Sequence, residues 1–247
     1  MGVRDSRSVV YTTRVLAYLA LAIVAGLAAV ERKGFLQAML SRPVALAPIT
    51  GLALGDLQAG LLLAAPLELL WLGAVNLGAS LPAHEALATV AITGGAVLSA
   101  RALGTAVTAD VALLSIVVCA PLALVGRSAD QRVERWNDRL AERAEAELAA
   151  GHPRTAARTN LRGLALPFAV AAGLAPLGAE VAARMVPAVI RALPSAAAPL
   201  RLGFLAFAAL ACASGARALR VRSAPGWFFA AFAGALALGL VTRGVHS

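Results

Sequence analysis

The feature that most constrains this chain is an apolar stretch too long for a soluble core. Between residues 43 and 100 the only ionised side chains are Asp56, Glu68 and Glu85, and residues 102–126 contain only Asp110. A helix needs about 20 apolar residues to cross the hydrocarbon of a bilayer. These stretches therefore hold several spans, and we predict an all-α polytopic membrane protein with broken or re-entrant helices and one polar amphipathic helix.

The charge pattern agrees with a membrane protein. Only 14% of the 247 residues are charged, against roughly 25% in soluble domains. The net charge is +9, but the arginines sit at the ends of apolar runs, where anionic lipid attracts them. We expect membrane lipid as a partner and no nucleic acid. Basic residues flank the first apolar run on both sides, so the sequence leaves the orientation open.

The stretch over residues 43–82 is longer than one span and is interrupted by several glycines and prolines. We predict a hairpin of broken or re-entrant helices, with interruptions near Gly55–Asp56 and near Pro66. The basic N-terminus is expected to lead into a retained first helix rather than a cleaved signal. The other predicted apolar segments cover residues 9–30, 86–100, 105–125, 161–177, 181–193, 199–216 and 227–241.

A polar segment follows at residues 127–162, and its charges alternate in sign. Acidic residues form one row with four-residue spacing and arginines form the next, so we expect a solvated helix with Arg135–Asp138 and Arg139–Glu142 pairs. Gly151 and the two residues after it should end this helix. The expected domains are a first membrane half at 1–126, with the substrate-region hairpins at 43–80, a polar connecting helix at 127–160, and a second membrane half at 161–247.

Four polar residues of the hairpin are the candidate substrate-binding residues: Asp56, Gln58, Glu68 and Asn76. An acid at membrane depth costs about 2.5–3.5 kcal/mol on insertion scales, so it normally faces a cavity or a pathway. Carboxylates and amides suit a neutral polyol, because each hydroxyl both donates and accepts hydrogen bonds. The alternative is structural, with helix capping by Asp56 and interhelical hydrogen bonds by the others.

The sequence contains no nucleophile–base pair, phosphate-binding loop or metal-ligand spacing that we recognise. The two thiols, Cys119 and Cys212, lie in apolar runs and are expected to be packing residues. The three histidines stand far apart in the sequence. We expect no cofactor and no metal, and we identify no phosphoryl-transfer residue, so whether the chain belongs to an enzyme stays open.

The hairpin sequence also resembles a known family. The run RPVALAPITGLALGDLQAG from Arg42 to Gly60, followed by PLEL from Pro66 and GAVNLGAS from Gly73, is similar in order and spacing to the IIC membrane component of the mannose/fructose/sorbose family of the sugar phosphotransferase system. The specific part covers about forty residues, while the polar helix and the later apolar helices look similar less specifically.

The resemblance implies a sugar-translocating permease subunit in the bacterial inner (plasma) membrane. It implies assembly with a IID membrane subunit, and soluble IIA and IIB domains that phosphorylate the sugar as it emerges. Asp56, Glu68 and Asn76 fall on polar positions of the family's substrate region, and an oligomer is expected. The alternatives are a non-transporting regulatory or interaction relative, or an unrelated small membrane transporter.

Overall fold

The computed structural model describes residues 3–33, 38–72, 83–219 and 226 of the chain. Every regular element in these residues is helical, which confirms the all-α prediction. The elements are α1 (Val3–Arg32), α2 (Pro43–Ala53), α3 (Leu57–Trp71), α4 (Glu85–Leu103), α5 (Ala109–Cys119), α6 (Leu122–Ala149), α7 (Pro153–Arg162), α8 (Ala165–Ala192), a 3-10 turn (Pro194–Ala196) and α9 (Ala197–Leu219).

Five helical stretches within the described residues are long and apolar enough to cross a membrane, which supports a multi-pass protein. They are Tyr11–Arg32, Glu85–Leu103, Ala109–Ala149, Pro153–Ala192 and Pro194–Ala218. The shorter apolar helices α2 and α3 form a hairpin beside them. The apolar segments predicted at residues 161–177 and 181–193 lie largely in one continuous helix, α8, and the segment at 227–241 lies outside the described residues.

Helix α4 is the centre of the fold, because every residue from Ala86 to Ala100 is buried. It packs closely on α8 through small residues: a Cβ added at Gly95 would lie 2.6 Å from the Ala182 Cβ. The Ser99 hydroxyl adds a 3.1 Å hydrogen bond to the Ala182 carbonyl. Close approach through small residues is how helices associate in a bilayer, where the hydrophobic effect gives little drive.

The break between α2 and α3 falls at residues 54–56, as the sequence predicts for Gly55–Asp56. Gly55 has φ of +76°, in the left-handed region that favours glycine. The Asp56 N–H donates to the Gly51 carbonyl at 2.8 Å, which closes the end of α2. Asp56 then caps the next helix, accepting from the Ala59 N–H at 3.0 Å.

The interruption predicted at Pro66 is wrong, because α3 runs without a break from Leu57 to Trp71. Proline removes one helical hydrogen bond and crowds the carbonyl four residues before it. Membrane helices tolerate this when neighbouring elements pack against the helix. Here the flanking residues Ala64 and Leu67 are buried in the core, and they hold α3 in place across the proline.

The hairpin enters and returns at the same end of the helical bundle. The Ser41 N–H, just before α2, donates to the Glu31 carboxylate at the C-terminal end of α1. The tip points the other way, and its Leu54 carbonyl accepts from Arg101 near the C-terminal end of α4. At that far end the Arg191 guanidinium of α8 donates to the Ala102 carbonyl at 2.7 Å. The hairpin thus has the re-entrant form that the sequence predicts.

The polar segment forms two helices. Helix α6 begins within the apolar sequence at Leu122 and continues to Ala149, and Gly151 with φ of +79° turns the chain into α7. Helix α7 folds back on α6, where Thr159 donates to Glu147 at 2.9 Å and Asn137 donates to the Gly163 carbonyl at 3.1 Å. The stop predicted at Gly151 is confirmed.

The contact between α2 and α3 gives a stability prediction. A Cβ at Gly60 would lie 2.4 Å from the Ala47 carbonyl oxygen, a backbone atom. We expect Gly60→Ala to destabilise the fold by about 1–3 kcal/mol, because the hairpin arms must separate. The matched control is Gly173→Ala in α8, where nothing lies within 4 Å of the added methyl. Thermal unfolding in detergent measures both, and a Gly60→Ala protein as stable as Gly173→Ala would contradict the hairpin packing.

Candidate substrate-binding site

Asp56 lies at the tip of the hairpin, half-buried, at the N-terminus of α3. Its Oδ1 accepts the Ala59 N–H, so the carboxylate acts as a helix cap. The neighbouring Leu54 carbonyl is bonded to Arg101, which lies beside the tip. The tip therefore brings one carboxylate and one guanidinium close to a helix break.

Glu68 lies near the mouth of the hairpin, where α2 begins and α3 ends, and it is paired with a cation from just outside the charge-poor stretch. Arg42 immediately precedes the charge-poor stretch, and its Nε donates to Glu68 Oε1 at 3.0 Å while its Nη2 contacts the same oxygen. The Val44 N–H donates to Oε2 at 3.2 Å. Glu68 therefore joins the end of α3 to the start of α2, and its side chain is 17% exposed.

The four predicted residues are not gathered at one point. Asp56 and Glu68 lie at opposite ends of α3, about 18 Å apart along the helix axis at 1.5 Å per residue. Gln58 is exposed in the first turn of α3, near Asp56. Asn76 lies outside the described residues. The described part of the candidate site therefore has two regions, the tip with Asp56 and Gln58 and the mouth with Glu68.

Trp71 adds a donor to the mouth region. Its indole Nε1 is buried and has no hydrogen-bond partner among the described residues. Trp71 follows Glu68 by three positions on α3, a spacing that places the two side chains on one face. Most buried polar atoms in proteins are hydrogen-bonded, so an exception calls for an explanation. An unbonded donor on the same helix face as a carboxylate is complementary to a hydroxyl group, which both donates and accepts.

A buried charge cluster, not predicted in this form, ties α6 to the ends of α1 and α4. Arg32 contacts Asp130 at 3.1 Å and Glu85 at 3.5 Å. Lys33 contacts Glu134 at 3.1 Å and Asp130 at 3.8 Å. The acidic row of α6 thus pairs with cations of α1.

The charge pairs predicted within α6 are wrong, since neither appears among the ion pairs of the described residues. Arg135 instead donates to the Gln131 carbonyl, one turn earlier on the same helix. The physical reason is exposure. Asp138 and Glu142 lie on the exposed face of α6, where an ion pair within one helix is worth only a few tenths of a kcal/mol and does not hold two long side chains together.

His84 lies beside this cluster, just before α4, and is 4% exposed. Its Nδ1 accepts the Leu87 N–H at 3.1 Å, which caps α4. Burial and then the nearby Arg32 lower the pKa of His84 to about 4. The imidazole is therefore neutral at pH 7, as its capping role requires.

A second intramembrane carboxylate was missed in the sequence. Glu180, in the middle of α8, accepts a hydrogen bond from the Tyr18 hydroxyl of α1 and pairs with Arg184 at 2.5 Å. The signal was present, because Glu180 is the only acid between Arg162 and Arg184. Glu68 stands out by the same signal, an isolated acid within an apolar run.

The helices and the hairpin define an all-α polytopic membrane protein. The chain matches the family described as the sorbose-specific IIC component of the phosphotransferase system over residues 15–245. It belongs to this family, as the resemblance of the hairpin sequence indicates.

Individual relatives are more distant. The chain is 38% identical over 78 residues to the putative N-acetylgalactosamine permease IIC component 2 of Escherichia coli (strain K12), an alignment covering 32% of this chain and 58% of that relative. A solved structure described only as a membrane protein is similar with a TM-score of 0.63 at 20% identity. A chain of the mannose transporter ManYZ in complex with microcin E492 is similar with a TM-score of 0.54 at 22% identity. Both similarities cover 95% of this chain and 93% of the other, and they show a shared fold.

The buried charge cluster gives a second prediction. Asp130→Asn should destabilise the protein by on the order of 3 kcal/mol, because Arg32 and Lys33 lose their shared buried carboxylate. The control is Asp138→Asn on the exposed face of the same helix, which should change stability by less than about 0.5 kcal/mol. Thermal unfolding of the purified proteins compares them, and equal effects would show that the cluster does not anchor α6.

Proposed function

We propose that this chain is the sugar-translocating IIC permease subunit of a mannose-type, phosphoenolpyruvate-dependent phosphotransferase system in the bacterial inner membrane. The observation that carries the proposal is the family match over residues 15–245. The fold it shares with a chain of the mannose transporter ManYZ supports the same class of protein. The names of its relatives point to a hexose, a ketose such as sorbose or an amino sugar as the substrate class.

The mouth of the hairpin supports sugar binding by its chemistry. A sugar hydroxyl would donate to Glu68, whose two carboxylate oxygens retain lone pairs beyond those used by Arg42 and Val44. The unbonded Trp71 Nε1 would donate to a sugar oxygen. In this proposal Arg42 holds the Glu68 side chain in place, as a positioning residue.

The tip of the hairpin supports a second set of sugar contacts. Asp56 uses Oδ1 for the helix cap and has a second oxygen for a hydroxyl. Gln58 is exposed beside it and carries both a donor and an acceptor. Asn76 is proposed as a further contact because it occupies the family's polar position after α3. The tip and the mouth would then bind sugar at successive positions along α3.

Phosphorylation is assigned in this proposal to partners. The chain would assemble with a IID membrane subunit, while soluble IIA and IIB domains carry the phosphoryl group on histidines. Helices α6 and α7 support a docking role, because most of the arginines and acids of α6 that are not paired with α1 are exposed. A charged two-helix extension is a suitable surface for a soluble partner.

The distribution of basic residues supports one orientation. The end of the bundle that carries α6 and α7 also holds Arg32, Lys33 and Arg42, together with the eight arginines of these two helices' sequence: Arg127, Arg132, Arg135, Arg139, Arg143, Arg154, Arg158 and Arg162. The other end holds fewer. Short segments rich in Lys and Arg stay in the cytoplasm, so we assign the α6–α7 end to the cytoplasmic side.

The alternative function is a IIC-like protein that binds partners without moving sugar. One observation favours it: both candidate carboxylates already have protein partners, since Asp56 caps α3 and Glu68 pairs with Arg42. In that case these residues would serve the hairpin's structure alone.

The orientation predicts a labelling pattern. Cysteines placed at Arg135 or Arg139 on the exposed face of α6 should react with a membrane-impermeant thiol reagent in inside-out vesicles but not in intact spheroplasts. The two native thiols are replaced first, and a cysteine at exposed Arg201, at the opposite end of the bundle, is the control with the reverse pattern. Labelling of the α6 positions in spheroplasts would contradict the assignment.

The substrate site predicts a binding defect in Glu68→Gln. Loss of a charge-assisted hydrogen bond costs about 1.5–3 kcal/mol, so the affinity for sugar should fall roughly 10–150-fold. The measurement is binding of labelled mannose, fructose, sorbose and N-acetylgalactosamine to the purified complex, with uptake in cells that also express the IID and IIA/IIB subunits. Failure of the parent complex to bind or take up any of them would contradict the transport function for these sugars.

A double variant separates the sugar contact from the ion pair. Glu68→Gln alone leaves Arg42 without its carboxylate, whereas Arg42→Gln with Glu68→Gln removes both charges and should restore part of the lost stability. If Glu68 binds sugar, the double variant stays defective in binding. Recovery of both stability and binding would show that Glu68 is a structural residue only and would contradict its assignment as a sugar contact.

A further inference from the structure

A cleft of about 540 Å³ opens between α1, α4 and α8 at the end of the bundle opposite α6 and α7. Its polar lining consists of Thr13, Arg14, Tyr18 and Arg101. It lies away from the hairpin mouth, although Arg101 also bonds the Leu54 carbonyl at the tip.

The charged residues that line the cleft, Arg14 and Arg101, are both basic. The Glu180 carboxylate, which is bonded to the Tyr18 hydroxyl behind the cleft, lies near enough to Arg14 to interact with its charge. Within the described part of the chain neither guanidinium forms an ion pair. Arg101 gives a hydrogen bond to Leu54 and retains further N–H donors. A neutral sugar is bound best by carboxylates and amides, whereas two unpaired guanidinium groups favour an anion with several oxygens.

The position and the remaining lining narrow the class of anion. Both arginines lie near the ends of their apolar spans, Tyr11–Arg32 and Glu85–Leu103, which is the depth of the lipid headgroups. The rest of the lining is apolar and includes Ala17 and Leu98. The Tyr18 hydroxyl is directed to Glu180 of α8, so its ring closes one side of the cleft. A cationic rim above an apolar wall matches an amphiphile with an anionic head.

We propose that this cleft is a binding site for a phosphate ester anion, recognised by Arg14 and Arg101. The headgroup of an anionic phospholipid is one source of that chemistry, and a soluble sugar or glycerol phosphate is the other. The site lies away from the proposed sugar contact at Glu68, and it shares Arg101 with the hairpin tip. Arg14 belongs to the cleft alone, so its variants test the site apart from the tip contacts.

The test is a titration of the full-length chain in neutral detergent with fluorescent phosphatidylglycerol, and with phosphatidylcholine as the zwitterionic comparison. We expect saturable binding of phosphatidylglycerol whose affinity falls about tenfold or more in Arg14→Gln and in Arg101→Gln, because each loses charge-assisted hydrogen bonds. Arg14→Lys should recover part of the affinity, since it keeps the charge but not the paired N–H groups. Size-exclusion profiles check that each variant remains folded. Arg14→Gln leaves the hydrogen bond between Arg101 and the Leu54 carbonyl intact.

Arg201→Gln is the matched control, because it removes an exposed arginine at the same end of the bundle outside the cleft. The affinity of this variant for phosphatidylglycerol should stay within about twofold of the parent's affinity, since an exposed charge outside the cleft contributes little to binding. Displacement of the lipid by glycerol 3-phosphate would support the site with a soluble ester as its ligand, and no displacement would support the lipid. Unchanged affinity in both cleft variants, or an equal loss in Arg201→Gln, would overturn the proposal.

Discussion

The hairpin depends on one constraint: the backbone N–H and C=O groups that a helix break exposes lose their helical partners and must be bonded by other groups. The break between α2 and α3 meets this demand with nearby groups. The Asp56 N–H bonds Gly51, the Asp56 carboxylate bonds the Ala59 N–H, and Arg101 bonds the Leu54 carbonyl. Two of these contacts are local, but the third comes from α4. The interruption that makes the hairpin possible therefore also fixes where its tip lies.

The position of Arg101 in turn depends on how α4 is held. Small residues such as Gly95 and Ala182 let α4 and α8 approach closely, and α4 is buried along its length from Ala86 to Ala100. Polar contacts fix its two ends, His84 and Glu85 at one and the Ala102 carbonyl at the other. A helix fixed in this way is a rigid reference against which a shorter hairpin can be placed. The substrate region thus rests on an interface that contains no candidate substrate residue.

The sequence predicts local structure such as turns and helix caps well, but it does not reveal contacts between residues that are far apart in the chain. A glycine followed by an aspartate specifies a left-handed turn and a cap, so the break at Gly55 could be predicted. Whether Pro66 breaks α3 depends on packing around it, which the sequence does not display. The Arg42–Glu68 pair joins residues 26 positions apart, and the partners of Asp130 lie about a hundred positions away on α1. A charge-poor stretch identifies an unusual acid, but the tertiary structure determines which cation pairs with that acid.

Under the proposed function, the two ends of α3 have different roles. The tip lies beside Arg101, at the end of the bundle where a few arginines mark the outer boundary, and the mouth lies at the end that carries the charged extension of α6 and α7. A sugar that moved from Asp56 towards Glu68 would travel about 18 Å along α3, half the thickness of a bilayer or more. It would arrive where a soluble phosphocarrier can dock. The arms of the hairpin contact both ends of α4, although the chain enters and leaves the hairpin at the same end of the bundle. A single re-entrant hairpin could then connect sugar binding at one side of the membrane with phosphorylation at the other.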